Sequence, residues 1–449
     1  MTGNFLDKFN SFYFVGMGGV SMSALAGYLR SLKKRVGGSD INAASLSKLK
    51  SLGIFVTNGN GRDILGYDAV VYTDAVSRDN AELRLARAAG KPIIPRGKLL
   101  AEVCKKFKRV IAVSGCHGKT TCTSMLASVF SSAGRAFAAH IGGNSVQFGN
   151  FCNFGNDFFI TEACEYKKNF LSLHPDTAVI LSTDADHLEC YGGAEELKKC
   201  YSKFAARAQK AVVPFGDDVF RDIEGTVTFG YAKGADWQAC ELREFRGVYS
   251  FTLYFCGAPA FDVKLKQPGA HNVLNALAAA AAAATEGIEF AHIKRGLEEF
   301  EGVERRMQLL GSYRGARYVA DYAHHPAEIA AALKTAERIT EGRLFVVFQP
   351  HTYSRTKNLY AQFVSVLSGV RRLLIYRTFA AREYFDGEGC ALTLSQSVKR
   401  SRYGDCPGDI LNFVSSAGEG DTVLFLGAGD IYFIAKTLLC ALEKSNAER

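Results

Sequence analysis

The sequence predicts an α/β protein of three domains. Its 449 residues are more than one core usually holds, and 48% of them are hydrophobic, which is ample for globular folding. In three successive segments, runs rich in β-branched residues alternate with helical patterns, and polar residues or glycine turns follow the runs. Such alternation is typical of parallel sheets covered by helices.

Composition narrows the classes of function. The net charge of +9 comes in brief clusters, such as residues 31–35 and 104–109, which favours solvated faces and small anionic substrates over nucleic acid. Twelve cysteines without a Cys-x-x-Cys pair argue against a zinc ribbon and are typical of reduced thiols. The start lacks a secretory signal and the apolar run 273–284 is too short to span a bilayer, so we expect a cytoplasmic protein without membrane insertion.

The first segment, residues 1–107, begins with a strand, a glycine turn and a helix in "FYFVGMGGVSMSALAGYL" (12–29). This pattern predicts a Rossmann-like domain whose turn binds a diphosphate, with a ribose-binding acid near the end of the next strand. Ser21 stands where the dinucleotide fingerprint has its third glycine, so an NAD-dependent oxidoreductase is only an alternative. The predicted substrate-binding residues of this segment are Gly16, Gly18, Gly19, Ser21 and Asp40.

The second segment, residues 108–302, carries a phosphate loop of the P-loop ATPase type in "AVSGCHGKTTCTSML" (112–126). Glycines turn the backbone so that N–H groups point inward, Lys119 adds positive charge, and Thr120 offers a hydroxyl to Mg²⁺. The spacing is shorter than in the common P-loop, and a structural glycine turn with a surface lysine is the alternative. The residues expected to cradle the nucleotide phosphates are Gly115, Cys116, His117, Gly118, Lys119, Thr120 and Thr121.

Acidic residues follow two further strands of this segment. The strand predicted in "DFFITEAC" (157–164) ends at Glu162, and Asp184, Asp186 and His187 follow "TAVILS". Carboxylates at strand ends beside a phosphate loop are suitable Mg²⁺ ligands, so Glu162 is a candidate metal ligand together with Thr120. His187 is a further candidate because it follows another strand next to the same loop. The alternatives are a helix cap or surface acid for Glu162 and an ordinary loop histidine for His187.

Two asparagines open the helix predicted in "PGAHNVLNALAAA" (268–280). The amides of Asn272 and Asn275 carry both donors and an acceptor, so they suit an adenine edge and equally suit helix caps. Both interpretations stay open on the sequence alone.

The third segment, residues 303–449, predicts a Rossmann-like α/β domain with polar residues after successive strands. In an open parallel sheet these positions share one edge, where ligands collect. The residues so placed are Asp321, Tyr322, His324, His325, His351, Arg355, Arg382 and Glu383.

Together these motifs resemble the Mur ligases almost from end to end. The resemblance rests on "GMGGVSMSALA", "GCHGKTT", "EACEYKKNFL", "ADH", "HNVLNALAA", "RRMQLLG", "DYAHHPAEI" and "FQPHTYSRT". It implies an ATP-dependent amide ligase whose first domain binds the UDP part of a sugar nucleotide. The second domain then binds ATP, and the third closes over both. It also implies Mg²⁺ as a cofactor and a monomer or weak homodimer.

The resemblance assigns roles to individual residues. It places Thr120, Glu162 and His187 at Mg²⁺, and it brings Asn272, Asn275, Arg306 and Asp321 to ATP. Tyr322, His324, His351 and Arg355 lie near the amino acid and the transferred phosphate. The catalytic set is Lys119, His187, His324, His351 and Arg355.

The implied reaction joins L-alanine to the carboxylate of UDP-N-acetylmuramate in peptidoglycan precursor synthesis. Phosphoryl transfer converts the carboxylate to an acyl phosphate, which the amine attacks, so cationic groups are suitable catalysts. The amine proton is accepted either by a histidine of near-neutral pKa, for which His324 and His351 both fit, or by solvent. Alternatives are a recycling ligase that joins a peptide and a nucleotide-binding regulator without catalysis.

Four positions depart from the family pattern: Asp74, Cys116, Ser182 and Ala320. Cys116 stands in the phosphate loop near Lys119 and a helix N-terminus, which favour a thiolate. We therefore predict an exposed, reactive thiol there, and the alternative is a small buried hydrophobe.

Overall fold

The structure, a computed structural model, describes residues 5–42, 49–51, 53–59, 61–184, 191–381 and 383–447. The chain forms two compact units. The first comprises Met1–Leu242, Ser250–Leu265 and His271–Glu301, and the second Arg243–Tyr249, Lys266–Ala270 and Gly302–Arg449. The predicted α/β class is confirmed, because the described residues form largely parallel sheets of five, ten and six strands.

The first sheet is parallel throughout, in the order β3-β2-β1-β4-β5. Its elements are β1 (Ser11–Val15), α1 (Val20–Ser31), β2 (Arg35–Ser39), β3 (Phe55–Thr57), β4 (Ala69–Tyr72), α2 (Ala81–Ala88), β5 (Ile93–Pro95) and α3 (Arg96–Cys104). The central strand β1 is buried along its whole length, as expected of a strand covered on both faces. The glycine turn after β1 therefore lies at the carboxyl edge, where ligands of such sheets bind.

The second sheet has the order β15-β14-β13-β12-β11-β10-β6-β9-β7-β8. Its elements are β6 (Arg109–Ser114), α4 (Lys119–Ser132), β7 (Phe137–Ser145), β8 (Gly149–Asn153), β9 (Phe158–Glu162), β10 (Thr177–Ile180), α5 (Ala194–Ala205), β11 (Lys210–Pro214), β12 (Thr226–Gly230), β13 (Trp237–Phe245), β14 (Val248–Phe255), β15 (Ala258–Lys264), α6 (His271–Thr285) and α7 (Phe290–Glu299). Antiparallel pairs β7–β8 and β14–β15 extend the parallel centre at both ends. The alanine-rich α6 packs against α4, and its residues 276–283 are fully buried.

The third sheet has the order β16-β17-β21-β18-β19-β20, and only the β16–β17 pairing is antiparallel among the described strands. Its elements are β16 (Gln308–Tyr313), β17 (Ala316–Asp321), α8 (Pro326–Ile339), β18 (Leu344–Phe348), α9 (Tyr353–Asn358), α10 (Tyr360–Leu367), β19 (Leu373–Tyr376), α11 (Ala391–Ser397), β20 (Ser401–Gly404), α12 (Pro407–Val414), β21 (Thr422–Leu426) and α13 (Ile431–Ala447). Asp321, Leu426 and Phe348 are aligned across the three central strands. The polar residues that follow these strands therefore share one edge, as the sequence predicts.

An aromatic cluster joins the first two sheets within the first unit. Phe107 stacks on Phe159 with ring centroids 4.7 Å apart, and Tyr28 lies 5.8 Å from Phe107 and 6.0 Å from Phe151. Because these side chains share one apolar core, the predicted boundary at residue 107 falls inside a compact unit. The division into residues 1–107, 108–302 and 303–449 stays a prediction.

Two further findings concern the helices and the cysteines. Within the described ranges, no helix is both long and apolar enough to cross a membrane. The cysteines in the same ranges are free thiols.

Candidate active site

The phosphate loop follows β6, at the point where the strand order of the second sheet reverses. β6 pairs with β9 on one side and β10 on the other, with Val113 opposite Glu162 and Ser114 opposite Ile180. The helix α4 begins at Lys119, directly after the glycines of the loop. Because parallel sheets bind ligands at such switch points, the loop and Glu162 occupy the position expected of a nucleotide site.

Gly118, like Gly115, is a position in this loop where a side chain cannot be accommodated. Its φ is +82°, which L residues rarely adopt, and an added Cβ would lie 2.3 Å from Asn275 Oδ1. The Asn275 Nδ2 group donates to Asn272 Oδ1 at 3.1 Å, and both asparagines are buried. Asn275 therefore lies directly against the phosphate loop.

Lys119 is tied down by three acceptors. Its Nζ donates to Gly115 O at 2.6 Å, to Cys116 O at 3.2 Å and to Glu165 Oε1 at 3.0 Å. Burial lowers the pKa of Lys119, but the charges of Glu165, Cys164 and Glu162 and the hydrogen bond to Glu165 together outweigh it, so the net pKa is raised and the lysine stays charged. Glu165 is only 1% exposed and received no role from the sequence, although "EACEY" contains it.

The chemistry of the donors fits Mg²⁺. Thr120 is buried in the first turn of α4, and Glu162 ends β9 with its Oε1 accepting from Gly142 N at 2.5 Å. Mg²⁺ prefers oxygen and is usually held by one or two carboxylates plus substrate phosphates. In the part of the chain that the structure describes, no group of three or more His, Cys, Asp and Glu side chains could hold a metal by itself. The third predicted ligand, His187, lies outside the described residues, as does Asp186.

The prediction of an exposed thiol at Cys116 is wrong. The residue is 6% exposed, and its Sγ donates to Asp184 O at 2.5 Å and lies 3.6 Å from Tyr201 OH. The loop turns the side chain into the core although its backbone stays at the site. We therefore expect the thiol to be inert toward alkylation, as buried free cysteines usually are.

The glycine turn of the first sheet is held by backbone and carboxylate contacts. Gly16 N and Met17 N both donate to Ser39 O at 2.9 Å, and Gly18 N donates to Asp40 Oδ2 at 2.8 Å. Asp40 thus shapes the turn that the sequence assigns to a diphosphate. Its contact with a ribose stays a prediction.

In the second unit, Asp321 stabilises the turn that follows β17. Its Oδ2 accepts from Met307 N and its Oδ1 from Ala323 N, both at 2.8 Å. Burial raises the pKa of this carboxyl, while the charge of Arg306 and the two backbone hydrogen bonds oppose that rise. Asp321 therefore fixes the turn that presents Tyr322.

A neighbouring arginine was missed by the sequence analysis. Arg305 donates to Gly427 O at 3.0 Å and Gly429 O at 3.1 Å, and its guanidinium lies 4.6 Å from the centroid of the Tyr322 ring. Arg306, the residue predicted to touch ATP, lies 5.3 Å from the same ring. Two adjacent arginines look alike in sequence, and only the tertiary structure shows which one braces the glycine turn "GAG" after β21.

The histidines of this edge are neutral and have different tautomers. His324 Nδ1 lies 3.0 Å from Tyr322 O, and since a carbonyl only accepts, Nδ1 carries the proton. His351 Nδ1 lies 3.1 Å from Arg355 Nη1, which only donates, so the proton of His351 is on Nε2. Their rings are 5.7 Å apart. His325 instead caps α8, with Glu328 completing the capping box.

The expectation of a near-neutral histidine pKa is not met. Burial lowers the pKa of His324 to about 4, against the charge of Glu328. Burial, His324 and Arg355 lower the pKa of His351 to about 4. Of the other polar residues at this edge, Glu383 accepts from Ser354 N at 2.9 Å, and Arg382 lies outside the described residues.

These low pKa values predict that acid destabilises the second unit. Between about pH 6.5 and 4 the two histidines are protonated in the unfolded chain but stay neutral in the folded protein. The free energy of unfolding therefore falls as pH falls through that window. The free energy of unfolding changes by about 1.4 kcal/mol per pH unit for each proton that only the unfolded chain binds. Urea unfolding at pH 7.5 and 5.0 should show a larger loss for the wild type than for a His324→Asn, His351→Asn variant. Exposed His174→Asn is the control, and equal losses in all three would contradict the assignment.

A phosphate loop at the switch point of a parallel sheet, flanked by a strand-end carboxylate, defines a nucleotide-dependent α/β enzyme. Three family descriptions match the chain: "Mur ligase family, catalytic domain" over residues 11–108, "Mur ligase middle domain" over 113–283 and "Mur ligase, glutamate ligase domain" over 305–429. The chain therefore belongs to the Mur ligase family, whose members are ATP-dependent ligases. This membership excludes the oxidoreductase interpretation of the first glycine turn.

Individual relatives cover nearly the whole chain. It is 37% identical over 451 residues to the UDP-N-acetylmuramate–L-alanine ligase of Acetivibrio thermocellus, covering 96% of each protein. It is 38% identical over 450 residues to the ligase of the same name from Clostridium acetobutylicum, covering 96% of this chain and 98% of the relative. The crystal structure of UDP-N-acetylmuramate-alanine ligase from Thermotoga maritima superposes with a TM-score of 0.85 at 28% identity, covering 97% of this chain and 99% of that one.

Proposed function

We propose that this protein joins L-alanine to the carboxylate of UDP-N-acetylmuramate, with ATP converted to ADP and phosphate, in peptidoglycan precursor synthesis. The observation that carries the proposal is the phosphate loop with Lys119 paired to Glu165 and with Glu162 on the adjoining strand. The relatives that match the chain over 96% of its length are named for this reaction.

The first unit supplies the residues for phosphoryl transfer in this proposal. Backbone N–H groups of residues 115–121 and the Lys119 ammonium stabilise charge on the γ-phosphoryl group. Mg²⁺ held by Thr120 and Glu162 would neutralise charge on the phosphate oxygens. Asn275 fixes the loop by its contact with Gly118. His187 stays a proposed further ligand.

The second unit supplies the groups for the amine and the reacting oxygens. We assign His324 as the group that accepts a hydrogen bond from the amine, because its Nε2 bears a lone pair while Nδ1–H donates to Tyr322 O. The lone pair of His351 is instead engaged by Arg355. His351 Nε2–H and the Arg355 guanidinium are then donors for an anionic oxygen. With a pKa of about 4, His324 orients the amine by hydrogen bonding rather than acting as a strong base.

The broader assignments accompany this reaction. We propose three functional segments, residues 1–107 for the UDP sugar, 108–302 for ATP and 303–449 for the amino acid. The sugar nucleotide is assigned to the turn of Gly16, Gly18, Gly19 and Ser21, and ATP also to Asn272, Arg306 and Asp321. A cytoplasmic location suits two nucleotide substrates, and we propose a monomer or weak homodimer.

ADP release tests the function directly. With Mg²⁺-ATP, we expect release only when UDP-N-acetylmuramate and L-alanine are both present, with less from glycine or L-serine. Equal ADP release without the sugar nucleotide would overturn the ligase proposal. Preference for a tripeptide would identify the recycling ligase instead, and nucleotide binding without any turnover would identify a regulator.

A further inference from the structure

A buried histidine lies between the glycine turn of the first sheet and the strand that ends in Glu162. His140 is on β7 and only 3% exposed. Its Nε2 lies 2.8 Å from Ser21 Oγ, and its Nδ1 lies 3.0 Å from Thr161 Oγ1. Burying a polar ring among apolar side chains costs free energy unless both nitrogens are bonded, and here both are.

The partners fix the direction of each hydrogen bond. Arg96 Nη1 lies 3.2 Å from Ser21 Oγ and only donates, so the serine oxygen accepts this bond and its hydroxyl hydrogen is available to His140 Nε2. Thr161 Oγ1 donates to Glu162 O at 3.1 Å, so it accepts from His140 Nδ1–H. Burial, reinforced by Arg96, lowers the pKa of His140 to about 3, so the ring has a single proton. The chain of donors thus runs from Arg96 through Ser21, His140 and Thr161 to the Glu162 carbonyl.

The same strand touches the Glu162 carboxylate directly. Gly142 lies two residues after His140 on β7, and its N–H donates to Glu162 Oε1 at 2.5 Å. An added Cβ at this glycine would lie 2.3 Å from Glu162 Oε2. A shift of β7 would therefore move both the backbone and the carboxylate of Glu162.

We propose that His140 is a positioning residue that ties the sugar-nucleotide turn at Ser21 to the metal carboxylate Glu162 through a neutral Nδ1–H imidazole. The inference rests on the proposed function, which gives a ligand to each end of the chain. His140 touches neither ligand. It sets the register between two elements that the first and second sheets contribute separately. A histidine suits this role because one neutral ring accepts a hydrogen bond at one nitrogen and donates one at the other.

The tautomer is tested by nitrogen NMR of protein labelled with ¹⁵N-histidine, using His140→Gln to assign the signal. At pH 7 we expect one protonated nitrogen, Nδ1, and one unprotonated nitrogen, Nε2. A charged ring or an Nε2–H tautomer would overturn the proposal. This measurement needs no substrate, so it stands apart from any failure of the ligase reaction.

Two variants separate the two ends of the chain. His140→Asn keeps a donor near the Nδ1 position and loses the acceptor for Ser21. It should weaken binding of UDP-N-acetylmuramate, measured calorimetrically without ATP, by about 3- to 10-fold, the scale of one hydrogen bond. His140→Gln keeps an acceptor for Ser21 and loses the donor to Thr161. It should raise the Mg²⁺ concentration for half-maximal ADP release by a similar factor and leave sugar-nucleotide binding within about twofold.

Matched variants repeat the comparison without changing the histidine. Ser21→Ala should reproduce the binding defect of His140→Asn, and the two should not add when combined. Thr161→Val, which keeps the shape of the buried residue, should reproduce the Mg²⁺ defect of His140→Gln. The proposal is wrong, and His140 is merely structural, in either of two outcomes. The variants lower only the thermal stability, or each variant weakens the binding of UDP-N-acetylmuramate and the response to Mg²⁺ equally. If the wild type binds no UDP-N-acetylmuramate while the NMR result holds, the proposed function is what fails.

Discussion

Lys119→Met should lower kcat by about 10²-fold or more, the scale of losing one preorganised electrostatic contact to a transferring phosphoryl group. Methionine keeps most of the side-chain length and removes the ammonium, both its charge and its three hydrogen bonds. Turnover is measured as ADP release with saturating UDP-N-acetylmuramate and L-alanine. Near-normal turnover would show that the loop does not act on the γ-phosphoryl group.

The same variant should also lose stability, which the sequence alone does not suggest. A lysine expected to face only ligand is instead paired with Glu165, whose side chain is 1% exposed. Removing one partner of a buried pair leaves an uncompensated charge and costs on the order of 3–5 kcal/mol. The double variant Lys119→Met, Glu165→Gln should recover much of that stability while kcat stays low. If stability and turnover recover together, the kinetic loss is only a folding defect.

Gly118→Ala should weaken ATP binding by about 10- to 100-fold. A left-handed backbone costs an alanine on the order of 1–2 kcal/mol, and the new Cβ would lie 2.3 Å from Asn275 Oδ1. The loop must then move away from Asn275, and its N–H groups no longer point toward the same phosphate group. Nucleotide affinity is measured by calorimetry together with the thermal midpoint.

Gly134→Ala is the matched control for this prediction. Gly134 follows α4 with a φ of +60° and has open space where the Cβ would stand. It should therefore show the backbone strain without the loss of nucleotide affinity. Wild-type affinity in Gly118→Ala would refute the close approach.

Much of the site could be predicted from the sequence because its signals are local. The order of buried strand, glycines, lysine and helix over residues 109–132 is a local signal of a phosphate loop. Glu162 and the polar residues after β17 and β18 were expected to share edges because parallel strands end at a common edge. The antiparallel extensions of the second sheet were not predicted, since edge strands such as β8 are short and half-buried and carry no strong pattern.

The sequence by itself determined the fold class, the phosphate loop and the strand-end positions of the polar residues, because short-range periodicity and turn chemistry specify them. Only the tertiary structure decided what each side chain meets. Cys116 is buried by contacts with Asp184 and Tyr201, 68 and 85 residues away, and Ser21 meets His140 across 119 residues. The low pKa values of the histidines also arise from burial, which depends on how the sheets and helices pack rather than on neighbours in the chain.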